Sequence, residues 1–234
     1  LGGADGQAGV LGVVVTGSLR PGQADPELLA LSDGTAAVVI DLTLVSPQDE
    51  AALAALLTDV SRPKVVADAK GAWHALRARG LGLDGVVGDP SLGAYLCRPE
   101  QRAYDIDSLA QRWLGVDLEA QGPAQVQGAF DLESLGQDAT PTAALAAARR
   151  AALLPALEEA LREQMGQRGV LDLYQGLEMP VASCLAQMEA DGIAVDEAVL
   201  AERETELDAR VTHAAQGAYD AAGHELNLSS PKQL

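Results

Sequence analysis

Apolar residues open this chain in short unbroken runs separated by turn residues, the pattern of buried strands rather than of an amphipathic helix. Val10 to Thr16 (VLGVVVT) predicts the first strand, and because Val13, Val14 and Val15 are consecutive it must be covered on both faces. Leu28 to Leu31 and Ala37 to Leu42 predict two more, turned by Ser32-Asp33-Gly34-Thr35, so the three form an antiparallel meander. Ser46-Pro47 then opens a helix with Leu53, Leu56, Leu57 and Val60 as its buried stripe. Strands at Lys64 to Ala67 and Val86-Val87 alternate with a helix from Ala69 to Arg79, closed by Gly80. Asp89 caps a helix over Ser91 to Leu96, and Asp105 to Leu114 presents Ile106, Leu109, Ala110 and Trp113 on one face. Gly115 to Ala139 has no sustained period and reads as a mobile loop.

From Thr140 onward the period is helical throughout. Thr140 to Arg168 places Leu145, Leu153, Leu157 and Leu161 at helical intervals, with a kink expected at Pro155. Gly166 and Gly169 end it, which sets the expected domain boundary at 168/169. Leu177, Val181, Cys184, Leu185 and Met188 form an apolar stripe that something must cover. Pro180 suits the first turn of that helix or a kink, and Gly192 its left-handed cap. Asp196 caps a last helix, Glu197 to Ala222, with Leu200, Leu207, Val211, Ala214 and Ala218 inward and Gly223 at its end, so the chain closes as a helical hairpin.

Composition narrows the chemistry. A chain of 234 residues with 48% hydrophobic content can bury a sizeable core in one or two domains. Its formal charge of −18 argues against a broad nucleic-acid-gripping surface, since such affinity comes from Lys and Arg neutralising phosphates; any DNA contact must be local. No apolar run is long enough for a membrane span, and the Gly-rich start LGGADGQAGV lacks the basic region of a signal peptide. Cys97 and Cys184 read as buried thiols. His74, His213 and His224 have no partner at metal spacing, so no zinc site is expected. Trp73, Tyr95, Tyr104, Trp113, Phe130, Tyr174 and Tyr219 are too scattered for a base-stacking groove, and no phosphate-binding glycine loop occurs.

Three segments in order carry a resemblance: Glu178-Met179-Pro180, then Leu185-Ala186-Gln187-Met188-Glu189-Ala190-Asp191-Gly192-Ile193-Ala194-Val195-Asp196, then Asn227-Leu228-Ser229-Ser230-Pro231-Lys232-Gln233-Leu234. Together they resemble the start of the thumb in family A DNA polymerases of the bacterial polymerase I type. The resemblance implies an α/β, ribonuclease H-like 3'-5' exonuclease fold over 1–168, followed by an all-α helical hairpin at the base of the thumb over 169–234. It also implies a fragment whose palm and fingers lie beyond Leu234. Primer-template DNA is then the partner of a parent enzyme that uses Mg. The fragment itself is expected to hold no cofactor, to be monomeric, and to lie in the bacterial cytoplasm at the nucleoid.

Active relatives hold two divalent ions about 4 Å apart on carboxylates, and such ions require hard oxygen ligands. Here the first family motif, Asp-x-Glu, falls on Val13-Val14-Val15, so Val13 and Val15 replace both acids. The second falls on Asp68-Ala69-Lys70-Gly71-Ala72, with Ala72 at the ligand position. The third falls on Thr142-Ala143-Ala144-Leu145-Ala146, with Ala146 at the ligand position. Valine and alanine pack where clustered acids repel, so the site reads as converted to core and the domain as a scaffold without nuclease activity. A nuclease with ligands relocated to Asp41, Asp68 and Asp89 is a second reading, and a stand-alone protein-interaction module is a third. At the other end, Ser230 caps and Pro231 opens a helix whose amides attract phosphate, and Lys232 adds charge. The resemblance places Asn227, Ser230 and Lys232 against the DNA backbone.

Overall fold

A computed structural model describes residues 9–118 and 141–230. The Gly-rich start, most of the expected loop with Phe130, and Pro231 and Lys232 lie outside the described residues.

Five strands form one sheet: β1 Leu11–Ser18, β2 Asp25–Ser32, β3 Ala37–Asp41, β4 Lys64–Val66 and β5 Val86–Gly88, in the order β3-β2-β1-β4-β5. The first three make the expected antiparallel meander, with Val13 opposite Leu31 and Val15 opposite Leu29. β4 and β5 add parallel on the other side of β1. As the central strand, β1 has no solvated face, which is why its valines run without alternation. A bulge between Val15 and Gly17 shifts the register before pairing resumes at Gly17 and Ser18, and Gly17 takes a left-handed φ of 104° there.

Helices α1 Pro47–Thr58 and α2 Ala69–Ala78 cover one face of the sheet. Helices α3 Pro90–Cys97, α4 Ile106–Leu114 and α5 Pro141–Arg168 cover the other. Ser46 caps α1 by accepting from the Asp49 amide while its hydroxyl donates to the Asp49 carboxylate at 2.6 Å. Of the stripe expected on α1, Leu53 and Leu57 are buried and Leu56 is half-buried, but Val60 lies past the helix end and is 73% exposed.

On α5 the buried stripe sits one position away from part of the expected one. Ala144, Ala147, Ala151, Leu154, Leu157, Leu161 and Met165 are buried, whereas Leu145 and Leu153 are only half-buried. The alanines bring α5 close to the sheet: a Cβ added at Gly12 of β1 would clash with the Ala151 carbonyl. Large side chains cannot occupy so narrow a gap, so size alone misplaces the stripe. Pro155 lies within the helix.

After α5, α6 Leu171–Leu173 runs through a π-helical turn, Tyr174–Glu178, into α7 Met179–Asp191. The expected stripe is not the buried face of α7. Leu177, Val181, Leu185 and Met188 are 52%, 39%, 43% and 60% exposed, and Cys184 is an exposed thiol rather than a buried one. Ala186 is buried instead, and with Met179 and Ala182 it faces α2. Glu189, one turn further along, receives Lys70 at 2.5 Å and the His74 ring at 2.9 Å, both from α2. Small residues let the two helices approach, and an ion-paired glutamate completes the seam.

By its contacts the chain divides into two compact units at Asp191/Gly192, and α7, packed on α2, belongs to the first. The second unit holds α8 Glu197–Ala222, capped by the Asp196 carboxylate on the Ala198 and Val199 amides and ended by left-handed Gly223. Its expected inward face is not buried: Leu200, Leu207 and Val211 are 57%, 54% and 66% exposed. Among the described residues no helix is long and apolar enough to cross a membrane.

Candidate functional site

Of the four residues expected from the resemblance to stand in place of nuclease carboxylates, Val13, Val15 and Ala72 lie together in one apolar cluster. Val13 and Val15 project from β1 toward α1 and α2, and Ala72 projects from α2 toward them. All three are buried in one apolar layer with Leu29, Leu31, Val66 and Leu76. Ala146 is not part of it. It is half-buried on α5, which covers the opposite face of the sheet. A divalent ion needs oxygen ligands, and the layer of Val13, Val15 and Ala72 offers none, so these residues do not fit one.

The three acids of the relocated-ligand reading do not converge. Asp41 ends β3 at one edge of the sheet and spends its carboxylate on the amide and hydroxyl of Thr43, at 2.9 and 2.6 Å. Asp89 follows β5 at the other edge, four strand spacings away, roughly 19 Å. Asp68 and Asp89 are neighbours: Asp68 caps α2 through the Gly71 amide, and Asp89 accepts from the Ala69 amide at 2.9 Å. Asp68 holds a left-handed φ of 49°, the one non-glycine residue described that does so. Among the described residues no three His, Cys, Asp or Glu side chains group as a metal site.

Beside these acids lies a buried polar cluster that sequence reasoning missed. Tyr174, fully buried in the π-helical turn, accepts from the Asp89 amide at 2.7 Å and lies 3.2 Å from both oxygens of Glu158. Glu158, only 3% exposed on α5, also pairs with Arg162 at 2.8 Å, and Arg162 donates to the Val87 carbonyl of β5. The Asp89 carboxylate caps α3 through the Ser91 amide. Four elements thus meet at one phenol: β5, α3, α5 and the turn into α7. The sequence signal was a glutamate inside the Leu154, Leu157, Leu161 stripe with an arginine four residues on.

Burial, with Asp68 nearby, pushes the Asp89 carboxyl up to about 6 against the opposing amides of Ala69 and Ser91. Burial, with Asp89 nearby, pushes Glu158 up to about 7 although Arg162 and Tyr174 oppose it. Burial and then Glu158 raise Tyr174 further above its ordinary range. Acids with raised folded-state values keep protons that the unfolded chain releases near pH 4, so stability falls as pH rises from there through 6 and 7. Glu158→Gln removes one of these titrations. Urea unfolding between pH 5 and 8 is expected to show a flatter profile for the variant, which becomes the more stable protein at pH 8 by on the order of 2 kcal/mol. Parallel profiles would exclude Glu158 as a source of the slope.

At the other candidate site, the Asn227 side chain accepts from the Ser229 amide at 3.0 Å, and the Ser230 amide donates to the Asn227 carbonyl at 3.0 Å. Asn227 is exposed and Ser230 half-buried on this turn, which presents both to one locality. Trp73 and Trp113 are half-buried at the margin of the core. A further buried polar group went unforeseen: the fully buried Lys64 ammonium donates to the carbonyls of Asp59, Arg62 and Asp84 at 2.9 to 3.0 Å, tying the loop before β4 to the one before β5.

Residues 21–120 match the model of the DNA polymerase I ribonuclease H-like domain. DNA polymerase I of Mycobacterium tuberculosis is 38% identical over 98% of this chain and 25% of its own length. That of Geobacillus stearothermophilus is 35% identical over 77% of the chain and 20% of its own length. The chain thus spans about a quarter of the length of the curated mycobacterial relatives it matches. Among solved structures, the POL domain of Pol1 from M. smegmatis, in complex with DNA primer-template and dNTP, superposes with a TM-score of 0.78. It is 35% identical, with 97% of this chain and 36% of that one covered. Brucella melitensis NrnC, 18% identical with a TM-score of 0.60 over 80% of this chain and 89% of its own, shares the fold.

Proposed function

This chain belongs to the DNA polymerase I family, and on that premise we propose that it is a non-catalytic part of a DNA-directed DNA polymerase, serving DNA replication and repair. Its ribonuclease H-like domain is a scaffold without proofreading activity, and 169–234 forms the base of the thumb. The observation that carries the scaffold reading is the apolar layer of Val13, Val15 and Ala72, which replaces oxygen ligands by methyl groups in the interior of the sheet. In its place the domain offers rigidity: the Tyr174 cluster and the Lys70–Glu189–His74 seam fasten the turn and α7 to the sheet domain.

Asn227, Ser230 and Lys232 meet the backbone of primer-template DNA, the ligand named for the solved M. smegmatis relative. The turn at Asn227–Ser230 supports this reading by holding these two polar residues on one turn with Asn227 exposed. Mg belongs to the parent polymerase and not to this segment. The parent acts as a monomer in the bacterial cytoplasm, at the nucleoid.

The test is release of mononucleotides from a labelled primer-template by the purified chain, with Mg and then Mn, beside Asp68→Ala/Asp89→Ala. No release above the background of the double variant is expected. Metal-dependent release that the double variant abolishes would overturn the scaffold reading in favour of relocated carboxylates.

A further inference from the structure

Arginine side chains gather in one place on this strongly acidic chain. The segment joining α3 to α4, together with the first and last turns of α4, lines an open pocket of about 420 Å³ whose walls include Arg98, Glu100, Arg102, Ser108 and Arg112. We propose that this pocket binds phosphate chains, either the backbone of a single-stranded nucleic acid or a free oligophosphate.

The charges in the pocket are not mutually satisfied. Arg98 is engaged with Glu100 at 3.3 Å. The Glu100 carboxyl is held below its ordinary range by its own backbone amide and then by Arg98 and Arg168, so it remains the charged partner of that pair. Of the acids at the start of α4, Asp105 is occupied as its cap and receives both the amide and the hydroxyl of Ser108, and Asp107 pairs with Arg150. Among the described residues neither the Arg102 nor the Arg112 side chain makes a hydrogen bond or an ion pair, and both residues are exposed. Two like charges lining one concavity repel each other until an anion enters between them. A guanidinium matches phosphate with two parallel donors, so the pocket favours phosphate over a spherical anion.

The frame around these side chains is fixed before any ligand arrives. Tyr104 donates to the Arg98 carbonyl at 2.7 Å, and Ser91 donates to the Tyr104 carbonyl at 2.8 Å. The Tyr104 ring meets Tyr95 edge-on with centroids 5.9 Å apart. The loop bearing Arg98 and Arg102 is therefore braced against α3, and little ordering is left for binding to drive. The volume is that of a small-ligand site. The pocket is distinct from the Val13, Val15 and Ala72 layer, because α3 and α4 cover the opposite face of the sheet. A chain of net charge −18 repels polyanions over most of its surface, which confines such a contact to this kind of local exception.

The experiment is binding of a fluorescently labelled single-stranded oligodeoxynucleotide, by anisotropy without divalent metal, and of tripolyphosphate, by calorimetry. Both are measured for the full chain, for Arg102→Ala/Arg112→Ala, and for the charge-matched control Arg20→Ala/Arg77→Ala outside the pocket. The pocket variant is expected to lose about tenfold or more in affinity, and for the oligonucleotide to lower the slope of log affinity against log salt by about 1.4, two single-strand phosphate contacts. Loss for the oligonucleotide alone identifies the nucleic-acid backbone; loss for tripolyphosphate alone identifies a free oligophosphate; loss for both supports a general phosphate site. Wild-type protein that binds neither ligand, or equal losses in the pocket and control variants, would overturn the proposal. The result does not depend on nucleotide release, so this site and the scaffold reading stand or fall separately.

Discussion

Val13→Asp is expected to destabilise the first compact unit by about 4 kcal/mol or more, a large share of the roughly 5–15 kcal/mol that holds an ordinary domain folded. Val13 is fully buried on the central strand, among Leu29, Leu31, Val66 and Ala72, with no donor in the layer to receive a carboxylate. The new acid would either ionise without a partner or stay protonated with unsatisfied oxygens, and both cost several kcal/mol beyond the lost valine packing. Urea unfolding followed by circular dichroism measures the loss. A cost below about 1 kcal/mol would mean that water or a polar group reaches the layer, and its description as sealed carbon would be wrong. The triple variant Val13→Asp/Val15→Glu/Ala72→Asp extends the experiment. Its carboxylates repel one another, so it should be less stable still without metal. If the layer occupies the family's ligand positions, Mn should raise its melting temperature, since an ion that binds only the folded state adds roughly 2.7 kcal/mol at a hundredfold excess over its dissociation constant.

The second large effect is at the junction. Tyr174→Ala is expected to cost about 3–5 kcal/mol, the range for deleting a fully buried aromatic side chain. Tyr174→Phe isolates the hydroxyl, which serves the Asp89 amide at 2.7 Å and lies 3.2 Å from the Glu158 carboxylate; stranding both groups should cost about 1–3 kcal/mol. The consequence differs in kind from that of Val13→Asp, because Tyr174 lies in the π-helical turn that leads into α7. Hydrogen exchange should therefore show α7 amides losing protection before those of β1 and β2 in the phenylalanine variant. Equal loss everywhere would mean that the cluster supports the domain as a whole and has no local hold on α7. Combining Tyr174→Phe with Glu158→Gln, measured at one pH, should give a change in stability that differs from the sum of the two single changes, since both act through one contact.

The chain alone determined most of the sheet domain. Three consecutive valines can only belong to a strand covered on both faces, and β1 is the central strand; the capping acids Asp89, Asp105 and Asp196 all begin helices where their spacing says they should. That Val13, Val15 and Ala72 carry no carboxylate was legible as well, because side-chain chemistry is a property of the sequence, and strand alternation put Val13 and Val15 on one face; that Ala72 of α2 meets them there was decided by packing. Burial of particular faces was decided only in the tertiary structure. Leu177, Val181, Leu185 and Met188 have the size and period of a core stripe, yet α7 turns Ala182 and Ala186 toward α2, since close approach of two helices selects small side chains at the seam. The stripe of α5 shifted to alanines for the same reason. Nor could spacing reveal that Glu158, Tyr174 and Asp89 would meet, or that Lys64 would find three carbonyls: such contacts join residues far apart in the chain, and burying their polar groups is tolerable only once the whole fold supplies the partners.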